Sequence, residues 1–227
     1  MSPIQVGFRH LPAPIVNHLK KRVTRRRPKP HVYHVTELLY CQRKAYFNRI
    51  HPKKRTFNVR SLWNIYRGNI FDKQWSRRFK INQRTYTATR EHVTITGTLD
   101  FVYNKYIYDL KMPASIALAK FTGAYISYKR QVAAYIELAH ENGELLNIHA
   151  GRILMVAENV VVDEQKEWVG MLDSWLFPRA FRLDTALEEE DPSGLEGPEE
   201  KWECNPEYCS ADTDYRIAYA LQKGAQK

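Results

Sequence analysis

The sequence predicts an α/β domain in which helices flank a mixed central sheet. Three observations carry this expectation. Residues 92–103 (HVTITGTLDFVY) are β-branched and aromatic with rough alternation, which suits a strand. Asn104-Lys105 then makes a tight turn, and residues 106–110 return as the second strand of a hairpin. Segments of helical periodicity lie on both sides of that hairpin, and further β-rich pieces follow at 148–162.

Residues 1–30 read as a basic arm, with seven Lys or Arg in residues 20–29 and Pro28 and Pro30 closing the run. Thr36 then caps a helix reaching residue 50, with Leu38, Leu39, Ala45 and Phe47 placed to face a core. A second helical stretch covers 61–79, where Leu62, Ile65, Ile70, Phe71 and Trp75 recur at mostly helical spacing. Pro113 ends the hairpin. A helix is expected over 124–140, stopped by Asn142-Gly143. After the β-rich pieces, residues 164–181 read as an amphipathic helix containing Trp168 and Trp175. Residues 31–187 thus form the core. The acidic stretch 188–200, with Pro192, Gly194, Gly197 and Pro198, reads as a flexible linker to a segment 201–227 that carries Cys204 and Cys209.

A chain of 227 residues, 44% of them hydrophobic, suits one well-packed domain with a modest appendage. No run approaches the ~18 apolar residues of a membrane span, and the N-terminus lacks an apolar signal-peptide core. A cytoplasmic protein is therefore expected. The net charge of +10 is uneven, because residues 188–203 hold eight acids and one Lys. The basic remainder would attract a polyanion through counterion release; it would equally serve as a solvated face. No phosphate-binding loop of the form G-x-x-x-x-G-K-S/T occurs, which argues against ATP-driven work. The eight His form no H-x-x-x-H or H-E-x-x-H pattern.

The chemistry concentrates on the hairpin. Asp100 lies in its first strand, and Asp109 and Lys111 near the end of its second. Residues two apart on a strand share a face, so two carboxylates and an ammonium converge. Such hard oxygen ligands suit Mg²⁺ or Mn²⁺, a metal there would polarise a phosphate, and the Lys would hold water or offset developing charge. Gly97, three residues before Asp100, stands where a strand bends or a ligand approaches closely. Gln131 and Tyr135 are i and i+4 on the following helix and share a face. They would order substrate phosphates or the attacking water, or simply form a half-buried helix surface. Tyr125, Tyr128, Lys129 and Arg130, about one turn away, would contact a DNA backbone or stack on bases, although the two Tyr would also fit a core. Arg43 and Lys44 are further candidate phosphate contacts.

The ordered set G-x-x-D, D-x-K, Q-x-x-x-Y within about forty residues resembles the RecB-like PD-(D/E)XK nucleases. The resemblance spans roughly 31–215. It implies a restriction-endonuclease-like core and a metal-dependent DNA nuclease with Asp100, Asp109, Lys111, Gln131 and Tyr135 in the catalytic set. The family has an upstream G-x-x-x-H whose His binds metal. Here Gly68-Asn69-Ile70-Phe71-Asp72 matches it with Asp in that slot, so Asp72, Asp100, Asp109 and the Leu110 carbonyl become the implied Mg²⁺ or Mn²⁺ ligands. An early Cys41 with Cys204 and Cys209 late resembles the CRISPR-associated members and related phage nucleases, in which four cysteines hold an iron–sulfur cluster that joins the two chain ends. The late group here has two cysteines. A 4Fe–4S cluster completed by Asp or by a His such as His34, a zinc site, and three ordinary thiols all remain open. A cluster would pack the C-terminal segment on the first helix.

The implied substrate is DNA, single-stranded or with free ends. The setting would be CRISPR spacer acquisition, with integration proteins as partners, or recombination and replication in a mobile element. Two other readings fit the residues: a DNA-binding scaffold without catalysis, and an RNA-directed or transposon-linked nuclease of the same chemistry.

Overall fold

The computed structural model describes residues 13–22, 28–50, 59–113, 124–157, 160–166 and 169–199. These form an α/β arrangement of two mixed sheets and six helices among the described residues. The order is α1 (Ala13–Arg22), β1 (Val32–His34), α2 (Val35–Leu38), α3 (Gln42–Ile50), α4 (Val59–Ser76), β2 (Ile81–Asn82), β3 (Thr85–Arg90), β4 (Val93–Thr98), β5 (Phe101–Tyr103), β6 (Tyr106–Lys111), α5 (Ile126–Glu141), β7 (Ala150–Val156) and β8 (Val160–Lys166). A π-type turn, Leu172–Leu176, then leads into α6 (Phe177–Glu188).

The single strand expected over 92–103 is two strands, because the chain bends at Leu99-Asp100. The bend divides the expected central sheet into β1-β4-β3 and β2-β5-β6-β7-β8. Pairing survives it: the Leu99 N–H donates to the Arg84 carbonyl at 3.0 Å, and the Gln83 N–H to the Asp100 carbonyl at 2.9 Å. Phe101 stacks between Phe79 and Tyr108, with ring centroids at 4.0 and 4.9 Å, which buries the outer side of the bend. β6 runs parallel to β7, and α5 is the crossover between them.

α5 covers the sheet with Val132, Ala133, Ile136, Leu138 and Ala139, all fully buried. Its close approach depends on two glycines. A Cβ at Gly97 would meet Leu138 and Tyr135 at 2.8 and 2.9 Å, and one at Gly151 would meet Val132 at 2.1 Å. Gly97 thus serves helix packing. Asp163 of β8 sets the start of α5, accepting the Ala124 N–H at 2.7 Å and pairing with Lys129 at 3.2 Å.

Several expectations need correction. The helix expected over 36–50 breaks at Leu39–Cys41, and Thr36 lies inside α2. Part of the basic arm is helix α1, whose Leu19 is buried and whose His18 lies 3.3 Å from the Tyr66 hydroxyl of α4. On α4, Leu62 is buried but Ile70 and Trp75 are exposed. The helix expected over 164–181 begins only at Leu172, because β8 continues to Lys166; Trp168 lies outside the described residues. The acidic stretch is mostly exposed but is anchored at two points. Leu195 is buried, its carbonyl accepts from Arg43 Nε at 3.0 Å, and Arg179 pairs with Glu196. No helix among the described residues is long and apolar enough to cross a membrane.

Candidate active site

The bend in the hairpin assembles the site. Phe101 pairs with Tyr108, so Asp100 falls opposite Asp109 where the ladder opens. There the Asp100 side chain takes over from backbone pairing: its Oδ2 accepts the Leu110 N–H at 2.6 Å. Strand alternation sends Asp109 and Lys111 to the face that α5 covers. Lys111 Nζ donates to Asp109 Oδ1 at 2.9 Å and to Gln131 Oε1 at 2.9 Å. Gln131 Nε2 donates in turn to the Tyr135 hydroxyl at 2.7 Å. Asp109, Lys111, Gln131 and Tyr135 therefore form one chain of hydrogen bonds with fixed donor directions. Lys111 also lies 5.1 Å from the centroid of the Tyr128 ring.

Asp72 reaches the same region from α4. Ser76 Oγ donates to its Oδ1 at 2.7 Å, and Gln83 Nε2 donates to its Oδ2 at 2.9 Å. Arg67, a turn earlier, ties α4 to the end of β6 by donating to the Met112 carbonyl at 3.1 Å. Ser127, which the sequence did not single out, is i−4 from Gln131; its buried Oγ has no hydrogen-bond partner among the described residues.

The electrostatics show an excess of negative charge. Asp100 is held well above the usual carboxylate range, first by burial and then by the charges of Asp109 and Asp72. Asp109, only 1% exposed, is also raised, by burial against the opposing pull of Lys111. Burial alone would lower the Lys111 ammonium, but Asp109 and its neighbours hold it above its ordinary value. Burial, and then the Asp109 charge, push the Tyr135 phenol up. One lysine thus stands against Asp109 and Asp100, and Asp72 adds its charge to both carboxylates.

A divalent cation would offset that imbalance, and the three carboxylates would have to draw closer to share one, since among the described residues they do not already form a group at ligand distance. Asp109 Oδ2 is buried and lies 2.8 Å from Lys111 Nζ but outside hydrogen-bond geometry, without a hydrogen-bond partner among the described residues. The Lys111 ion pair compensates the charge on that oxygen and leaves a lone pair open to a ligand. Asp72 and Asp100 offer the same hard oxygen chemistry. Of Leu110, the group turned toward Asp100 is the N–H.

The expected DNA contacts are mostly engaged within the chain. Arg43 is buried, with its Nε donating to the Leu195 carbonyl. Lys44 is half-buried on α3. Lys129 pairs with Asp163, and Arg130 pairs with Glu199 at 2.5 Å while lying over the Trp175 ring. Tyr128 is half-buried, with its phenol pushed up to about 12 by burial first. Cys41 is buried at the α2–α3 break; Cys204 and Cys209 lie outside the described residues. Sequence reading also missed a cluster of His31, His92, Asp184 and Glu188, because its members are scattered along the chain.

No family model matches the chain, and no curated protein matches it in sequence. Among solved structures it is similar to the crystal structure of SSO0001, with a TM-score of 0.60 and 16% identity over 86% of this chain and 91% of that one. This likeness supports the fold. A second similarity, to the crystal structure of a provisionally named exonuclease from Eubacterium rectale, has a TM-score of 0.34 and 16% identity over 85% of this chain and 78% of that one.

Proposed function

We propose that this chain is a Mg²⁺- or Mn²⁺-dependent DNA nuclease with a PD-(D/E)XK core, acting on single strands or free ends. The observation that carries the reading is the buried, ordered chain Asp109–Lys111–Gln131–Tyr135 beside Asp100 and Asp72, with one Asp109 oxygen lacking a hydrogen bond. Asp72, Asp100 and Asp109 are the residues that would hold the cation, which would polarise the scissile phosphate and supply the positive charge the carboxylates lack. Lys111 stays protonated, oriented by Asp109 and Gln131, and is placed to hold a water or to stabilise negative charge developing on phosphate. Gln131 and Tyr135 fix its direction. A surface with net charge +10 supports a polyanionic substrate. The sequence pattern of the cysteines extends the proposal to an iron–sulfur or zinc site, which an iron and zinc assay on anaerobically purified protein tests.

The decisive experiment is cleavage of labelled single-stranded DNA with Mn²⁺. Asp100→Ala and Lys111→Ala should each abolish cleavage while DNA binding and the circular dichroism spectrum are retained. Unchanged cleavage in either variant overturns the assignment. Wild-type protein that binds DNA without cutting would favour the scaffold reading.

A further inference from the structure

We propose that His31, His92, Asp184 and Glu188 form a second metal site, suited to Zn²⁺ or a similar borderline transition metal, separate from the carboxylates of the hairpin. One ligand atom from each of the four lies within 4.8 Å of the others. His31 Nδ1 is 3.0 Å from Asp184 Oδ1, and His92 Nε2 is 2.9 Å from Asp184 Oδ2. The two imidazoles approach each other edge to face, with centroids 5.3 Å apart.

The backbone aims these groups. β1 pairs in parallel with β4, Val32 opposite Thr94, so the residues just before each strand, His31 and His92, come side by side. The Thr94 N–H donates to the His31 carbonyl at 2.8 Å, and His31 holds a left-handed φ of 54°. Asp184 and Glu188 are i and i+4 on α6 and share a face. The Tyr33 hydroxyl donates to Asp184, the outer-shell support that orients a ligating carboxylate. β4 runs from this cluster toward Asp100, which stands eight residues after His92, roughly 26 Å of extended chain.

The ligand chemistry distinguishes them. Two imidazole nitrogens with two carboxylates suit Zn²⁺, whereas an all-carboxylate group suits Mg²⁺ or Mn²⁺. Zn²⁺ bonds of about 2.0–2.2 Å need ligand atoms somewhat closer than the widest separation here. Glu188, exposed on the last turn of α6, can change rotamer to bring its carboxylate closer. The side chains of His31 and His92 are 44% and 53% exposed, which leaves a path for the ion. Bound metal would staple segments 153 and 92 residues apart in sequence.

The test is Zn²⁺ titration of the chelator-treated full-length protein by calorimetry, with Co²⁺ absorption as a second readout. Wild type should take up one Zn²⁺ equivalent more than His92→Ala, and Glu188→Ala should bind that equivalent at least about tenfold more weakly. Tyr33→Phe should weaken it by about 10- to 100-fold, as loss of an outer-shell partner does. Zn²⁺ should raise the melting temperature of wild type by more than that of Glu188→Ala. Glu188 is exposed, so this variant decides the matter even where His92→Ala impairs folding. The Co²⁺ difference spectrum, wild type minus Glu188→Ala at subsaturating Co²⁺, should show tetrahedral d–d bands without the thiolate charge-transfer absorption that cysteine ligation would add. Equal stoichiometry and affinity in wild type and Glu188→Ala would mean a hydrogen-bonded cluster only, and would overturn the proposal.

Discussion

At the scale of single residues, Lys111 is fixed on two sides, by Asp109 and by a Gln131 that is itself tied to Tyr135. Removing the last link should leave the fold intact and loosen the ammonium. Tyr135→Phe is expected to lower kcat by about a hundredfold with KM little changed, the size of effect that small misplacements at a reacting centre produce. Steady-state kinetics on labelled DNA would read this directly. The Asp100–Asp109 pair makes a pH prediction. Both carboxyls are raised in the folded chain, so it binds more protons than the unfolded chain above the ordinary carboxylate range. Stability of the metal-free protein therefore falls as pH rises from about 5 to about 8. Mn²⁺ favours the ionised carboxylates and should flatten that slope, as should Asp100→Asn without metal. Urea unfolding at several pH values checks it; a slope unchanged in Asp100→Asn would assign the effect elsewhere.

At the scale of elements, the site depends on how closely α5 lies on the sheet. A Cβ at Gly151 has no room, with Val132 at 2.1 Å and the Ile107 carbonyl at 2.9 Å. Gly151→Ala should cost about 1–3 kcal/mol by overpacking, measured as a lowered urea midpoint. Gly97→Ala presses on the Tyr135 ring itself, so it should lower activity more than its stability loss accounts for. Helix α5 and the turn in the hairpin were legible in the sequence, because periodicity and turn chemistry are local. β8 was legible only as far as residue 162: VVVDEQK ends in four polar residues that fit a helix face, and only pairing with β7 makes them part of an edge strand. The break at Leu39–Cys41 was hidden for a similar reason. The Leu38 and Tyr40 carbonyls accept from Arg179, a residue about 140 positions later.

Across the whole molecule, Arg179 joins the early helices to the acidic stretch. It is 1% exposed, donates to the Leu38 and Tyr40 carbonyls at 2.7 Å each, lies over Trp175 and pairs with Glu196. Arg179→Ala should cost about 3 kcal/mol or more, since buried carbonyls lose their donors. Glu196→Ala removes a partly exposed partner and should cost no more than about 1 kcal/mol. The reverse order in denaturant melts would show that the acidic stretch, and not the buried guanidinium, holds this junction. By itself the sequence determined the α/β character, the hairpin and the candidate set Asp100, Asp109, Lys111, Gln131 and Tyr135, because strand alternation and helical spacing decide which neighbours share a face. Only the tertiary structure decided that the sheet divides at Asp100, that Gly97 admits a helix, and that four scattered residues meet at Asp184. Those depend on contacts between distant segments, whose closure no local pattern encodes.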